Sequence, residues 1–69
     1  MKYHKDEWET FLVNCDFTDN ELEIIPLLRR GWSGVRISIE LSISTATLSR
    51  RKDSIEEKIS HYYIARKDP

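Results

Sequence analysis

One cysteine, two glycines and two prolines among 69 residues are notable scarcities, and each excludes something. A single thiol forms no intrachain disulfide, and no His or basic cluster adjoins it in sequence. Cys15 therefore reads as a reduced packing residue of a cytoplasmic protein rather than as a nucleophile. Glycine only at positions 31 and 34, and proline only at 26 and 69, leave no flexible linker, repeat or low-complexity tract. No apolar run extends beyond a few residues, so nothing spans a membrane. The polar start Met1-Lys-Tyr-His-Lys-Asp-Glu7 lacks the hydrophobic stretch of a signal peptide. His4 and His61 stand alone, no cysteine pair exists to hold a metal, and the adjacent Glu56 and Glu57 point in different directions on a helix. No catalytic constellation or phosphate-cradling loop is present. The chain does not read as an enzyme, and no metal, cofactor or small-molecule ligand is expected. A domain near this size buries only about 60% of its unfolded surface, which argues against a deep catalytic cavity.

What is present is charge, unevenly placed. The net charge of −1 conceals −5 over residues 1–28, +5 over residues 29–52 and −1 over residues 53–69. The basic block contains five arginines and Lys52 against Glu40 alone. Opposite signs on successive segments predict an oriented surface, and the middle block suits a phosphate backbone.

β-branched residues are frequent but fall at helical spacing, so the chain reads as all-α. A first helix is predicted over Lys5 to Asn14, with Trp8, Phe11, Leu12 and Cys15 on one face and three acids near its positive end. Thr18-Asp-Asn-Glu21 is a capping box, with Phe17 placed as a hydrophobic staple. The helix it opens has Leu22, Ile24, Ile25 and Leu28 as its buried stripe, Arg29 and Arg30 in its last turn, and Gly31 as its left-handed stop. Pro26 inside it removes the hydrogen bond to the Leu22 carbonyl and predicts a kink costing about 3 kcal/mol. Trp32 reads as a core anchor. Ser33 caps a third helix over Gly34 to Leu41, and Ser44 caps a fourth. On the fourth, Leu48, Ile55, Ile59 and Tyr62 form one stripe that predicts a helix to about Ala65, with Arg66 to Pro69 frayed.

The third and fourth segments, joined at Leu41-Ser-Ile-Ser44, have the layout of a helix-turn-helix. In that motif one helix braces across the DNA backbone and the next enters the major groove by its N-terminal half. Ala46, Leu48 and Ile55 are expected to dock the reading helix, while Thr45, Ser49, Arg50 and Asp53 share its open side. Hydroxyls suit phosphates or base edges, and Arg pairs bidentately with guanine. The expected fold is a small three- to four-helix bundle containing a helix-turn-helix with a long C-terminal recognition helix. It forms one domain over 1–69: an acidic helix over 1–16, the helix-turn-helix core over 17–60, and the helix end and tail over 61–69.

The segment Phe17-Thr-Asp-Asn-Glu-Leu-Glu-Ile-Ile-Pro-Leu-Leu-Arg-Arg-Gly-Trp-Ser33 resembles the opening of LuxR-type (also NarL- or FixJ-type) DNA-binding domains. That family runs Leu-Thr-x-x-Glu-x-Glu-Val-Leu-x-Leu-x-x-x-Gly-x-Ser. The continuation Ile37-Ser-Ile-Glu-Leu-Ser-Ile-Ser-Thr-Ala-Thr-Leu48 is similar to its Ile-Ala-x-x-Leu-x-Ile-Ser-x-x-Thr-Val. The register holds without a gap from Phe17 to Ile59, and the same core also resembles the promoter-reading C-terminal domain of sigma factors. The resemblance implies base-facing roles for Ser49, Arg50 and Asp53. It implies phosphate contacts for Thr45, Thr47 and Arg51 beside the cap Ser44, and a bracing role for Ser33 and Arg36. Four positions depart from the family pattern: Pro26 in the first helix, Ser42 for the usual turn glycine, Lys52 at an apolar position, and Asp53 where a cation is common.

The resemblance implies sequence-specific binding of double-stranded DNA by a small, free-standing bacterial or phage regulator. No receiver or ligand-binding module accompanies the core, so no phosphorylation or autoinducer control is expected. The competing reading is a protein-interaction module that binds a sigma factor, RNA polymerase or a phage packaging partner through its acidic N-terminal third. Ile55, Ile59, Tyr62 and Tyr63, with Ile64, form a stripe that either builds a homodimer or packs against Trp8, Phe11 and Leu12.

Overall fold

Each helix begins where its local chemistry directs. The computed structural model describes residues 3–67, which form α1 Lys5–Asn14, α2 Asp19–Arg29, α3 Gly34–Leu41 and α4 Thr45–Lys67. The Glu7 carboxylate accepts the His4 backbone N–H at 2.9 Å at the head of α1. At α2, Thr18 Oγ1 accepts the Glu21 N–H at 3.3 Å while Glu21 Oε1 accepts the Thr18 N–H at 2.8 Å, closing the capping box. Ser33 Oγ accepts the Arg36 N–H at 3.2 Å, and Ser44 Oγ accepts the Thr47 N–H at 3.0 Å. These bonds satisfy N–H groups that a helix leaves without partners.

Two helices share one kind of stop. Gly31, at φ 80°, donates to the Leu28 carbonyl while Trp32 donates to that of Leu27. Ser42, at φ 55° and ψ 43°, donates to Ile39 while Ile43 donates to Ser38. Both are Schellman motifs, which need a left-handed residue just past the helix. Ser42 takes that conformation without glycine's freedom, at a cost of about 1 kcal/mol. The last helix runs to Lys67, past the expected end at Ala65 and through two residues of the expected frayed tail. Asp68 and Pro69 lie outside the described residues.

α4 is the spine: α1, α2 and α3 each pack against it. The core gathers Trp8 and Phe11 from α1, Phe17, then Ile24, Ile25 and Leu27 from α2, Ile37 from α3, and Leu48, Ile55 and Ile59 from α4. The protein is thus a small all-α bundle. Among the described residues, no helix is long and apolar enough to cross a membrane.

Several sequence expectations need correction. The inward face of α2 is Glu21, Ile24, Ile25 and half-buried Leu28, at steps of three, one and three, with Leu27 beside them. Leu22 lies off that face and is 43% exposed, because turning Glu21 inward toward Lys58 rotates it out. Phe17 joins the core, but Leu22, the position a staple would close on, stays at the surface. Pro26 does not interrupt α2. It is exposed on the same side as Leu22, so the carbonyl it deprives is open to water. Ala46 is exposed rather than docked, since two residues on a helix lie about 200° apart and Leu48 takes the core. Leu12 is 37% exposed at the rim, and Trp32 is half-buried against the core rather than inside it.

The stripe on α4 is largely taken up within the chain. Ile55 and Ile59 are fully buried, so neither is free to form a dimer contact. Tyr62 is half-buried and its ring lies 6.0 Å from that of Phe11, edge to face. Tyr63 keeps some exposure but packs on Phe11 at 5.7 Å and donates a hydrogen bond to Glu7 Oε2 at 3.0 Å. Helix α1 is therefore a lid over the second half of α4, and of the expected dimer stripe only Tyr63 and Ile64 remain exposed.

Candidate nucleic-acid interface

The three-residue turn Ser42-Ile43-Ser44 brings the first half of α4 against the start of α3. Here the two helices approach closely: a Cβ placed on Gly34 would sit 3.6 Å from Leu48 Cδ2, an ordinary contact distance. The surface between them is an open groove of about 330 Å³, lined by Ser33, Gly34 and Val35 of one arm and by Thr45, Leu48, Ser49 and Lys52 of the other. Its floor is apolar at Leu48, and its rim carries three hydroxyls and one ammonium.

The residues singled out by sequence divide into two groups. Ser33, Ser44 and Thr47 hold the structure together. Ser33 and Ser44 cap their helices, and Ser44 Oγ also donates to Thr47 Oγ1 at 2.9 Å. Thr47 is half-buried, and the Arg50 guanidinium reaches its hydroxyl only at 3.5 Å. Thr45, Ser49, Arg50 and Asp53 are exposed, and Arg51 and Lys52 are half-buried. No ion pair joins Asp53 to Arg50, three residues before it, and none engages Arg51 or Lys52 among the described residues. Lys52 neither leaves the interface nor enters the core: it lines the groove. Arg36 is exposed, but its guanidinium stacks 3.7 Å from the centre of the Trp32 ring. Such cation–π contact restrains the long side chain while leaving its N–H edge open.

Two features escaped the sequence reading. The spacing Trp32-x-x-x-Arg36 is the only local signal for the stacked pair, and Trp32 lies just outside α3, where helical spacing gives no warning. The other is an ion pair whose acid is buried and whose base is half-buried. Glu21, 2% exposed, closes the α2 capping box and also accepts a hydrogen bond from Lys58 Nζ of α4. Burial alone would raise its pKa. Hydrogen bonds from Lys58, Ser54 and the Thr18 backbone, with the charge of Lys58, outweigh that and hold it down to about 2. The pair clamps α2 to α4 just beyond the groove. No pairwise rule links positions 37 residues apart.

Charge is separated along α4. Glu7 and Glu56 lie near Tyr3, whose hydroxyl pKa is raised first by burial and then by these two carboxylates. Glu7 of α1 therefore sits beside the later turns of α4, while Arg50, Arg51 and Lys52 occupy the early ones. No family model, curated protein or solved structure matches the chain.

Proposed function

We propose that the protein binds double-stranded DNA in a sequence-selective manner, inserting the first half of α4 into the major groove while α3 braces against the backbone. The observation that carries this reading is the division of labour at the α3–α4 junction. Ser33, Ser44 and Thr47 build the junction. Thr45, Ser49 and Arg50 are left exposed with no structural task of comparable strength, beside Arg51 and Lys52, which make no ion pair among the described residues. A helix that leads with hydroxyls and cations and keeps its apolar stripe inward meets the steric and electrostatic needs of a groove reader. The gap-free resemblance of residues 17–59 to LuxR-type domains, and to the promoter-reading domain of sigma factors, supports the same reading. It also suggests transcriptional regulation as the setting.

Within it, Ser49 and Arg50 contact base edges. Arg36, Arg51 and Lys52 contact phosphates, with Thr45 adding a hydroxyl. Asp53 lies one turn beyond Ser49 and accepts from a cytosine amine or orients Arg50. Selection from random-sequence duplexes, followed by titration of the selected site across salt, tests the proposal. Three phosphate contacts give a slope of about −3 for log affinity against log salt. If no duplex is selected and the chain instead captures a polymerase subunit or sigma factor, the protein is an interaction module and the DNA reading is wrong.

A further inference from the structure

Two exposed surfaces have no part in the core. On α1, Asp6, Glu9 and Val13 follow at steps of three and four, so they share one side of the helix. All three are exposed, Val13 by 83%, and neither carboxylate has an ion pair among the described residues. The second surface flanks the groove. Val35 forms part of its wall and Ile39 lies one turn further along the same face of α3. These are 62% and 73% exposed, beside stacked Arg36 and Lys52, which has no ion pair among the described residues.

The two surfaces complement each other in both terms that govern association. Val13 on one and Val35 and Ile39 on the other are β-branched apolar side chains open to water, whose mutual burial is favourable. One surface is bordered by carboxylates and the other by cations, within segments of −5 and +5. They cannot meet within one chain. Helix α1 packs on Tyr62 and Tyr63 while the groove ends at Lys52, ten residues earlier and so roughly 15 Å away along α4. Arg36 and Lys52 are needed by DNA phosphates in the reading above, yet a phosphate backbone offers Val35 and Ile39 nothing to bury against.

We propose that the outer face of α1 in one copy docks on the α3–α4 groove of a second copy. The contact runs head to tail, reciprocated in a closed pair or extended along a chain. Asp6 and Glu9 meet Lys52 and Arg36, and Val13 covers Val35 and Ile39. Because the same groove serves DNA in the proposed function, self-association and duplex binding exclude one another. The self-association itself stands or falls without DNA.

Sedimentation velocity of the full chain, in the absence of nucleic acid, reads this directly. The wild type associates at about 0.1 M salt and loses at least about tenfold in affinity by about 1 M, as the screening length falls from about 10 Å to about 3 Å. Asp6→Lys with Glu9→Lys reverses one face, and Arg36→Glu with Lys52→Glu reverses the other. Each double variant alone is monomeric, and an equimolar mixture of the two associates again because each supplies what the other lacks. Circular dichroism verifies that both are folded. Val13→Asp, at a position outside the core, provides a third disrupted chain if either double variant is not. A wild type that stays monomeric at low salt overturns the proposal, as does association that either reversal leaves intact or that mixing fails to restore.

Discussion

Replacing Glu21 by Gln tests whether the clamp between α2 and α4 is electrostatic. Gln keeps the length of Glu and still serves as the third residue of a capping box, so the head of α2 is preserved. What changes is the charge facing Lys58, whose ammonium then meets an amide. The carboxyl pKa of about 2, against an ordinary value of 4.5, corresponds to about 3 kcal/mol of stability at neutral pH. A chain of this length commands only about 3–10 kcal/mol in total, so the variant should be marginal at room temperature. The sign follows from the direction of the shift. A depressed carboxylate pKa contributes fully above about pH 4.5 and is lost as pH falls through about 2. Urea unfolding followed by circular dichroism, repeated from neutral pH down to about 2, should therefore show wild type and Glu21→Gln converging below about pH 4.5. Lys58→Met removes the other partner, leaves a buried carboxylate with only the Ser54 and Thr18 bonds, and moves the acid transition upward. The double variant should lose less than the sum of the singles, since neither remaining group is then a stranded charge. A stability gap between wild type and Glu21→Gln that stays constant down to about pH 2 would refute the electrostatic account and leave Glu21 as a cap alone.

Four further outcomes are expected. Ser42→Gly relieves the left-handed turn at φ 55° and should raise stability by up to about 1 kcal/mol, less the added freedom of the unfolded glycine; a lower thermal midpoint would mean the Ser42 side chain contributes something the backbone does not reveal. Pro26→Ala restores a donor to the Leu22 carbonyl and should stabilise by as much as about 3 kcal/mol in chemical denaturation, with no change in helix limits. Ser44→Ala should cost about 1 kcal/mol of stability through the lost cap, whereas Ser49→Ala should leave the melt unchanged and weaken only the selected duplex. Arg50→Ala should cost about 1–3 kcal/mol of discrimination at one base pair, measured by competition between the selected site and single-base variants, while leaving the salt slope near that of the wild type.

Helix limits were legible along the chain because the groups that set them are close in sequence. Thr18 with Glu21, Ser33 with Arg36, Ser44 with Thr47, and Gly31 after Arg30 each solve a hydrogen-bonding problem within one turn. The core stripe of α4 was legible for the same reason, since Leu48, Ile55 and Ile59 repeat on one face whatever packs against them. The choice among rival faces was not. Leu22 and Val35 look as buriable as Ile25 and Ile37, and hydropathy alone does not say which apolar face turns inward. That was decided by the Glu21–Lys58 pair and by the close passage of Gly34 over Leu48.

The candidate site divides along the same line. Its hydroxyls and cations, and their side of α4, follow from helical spacing. Which hydroxyls are engaged in holding the turn, where Lys52 goes, and that Trp32 steadies Arg36 depend on neighbours that spacing does not specify. The sequence by itself determined four helices, the caps of the last three and the basic block between two acidic ones, because those rest on bonds and charges local to the chain. Only the tertiary structure decided that Ile55 and Ile59 belong to the core rather than to a partner. Burial is a property of what arrives from elsewhere, and here α1, α2 and α3 all arrive on α4.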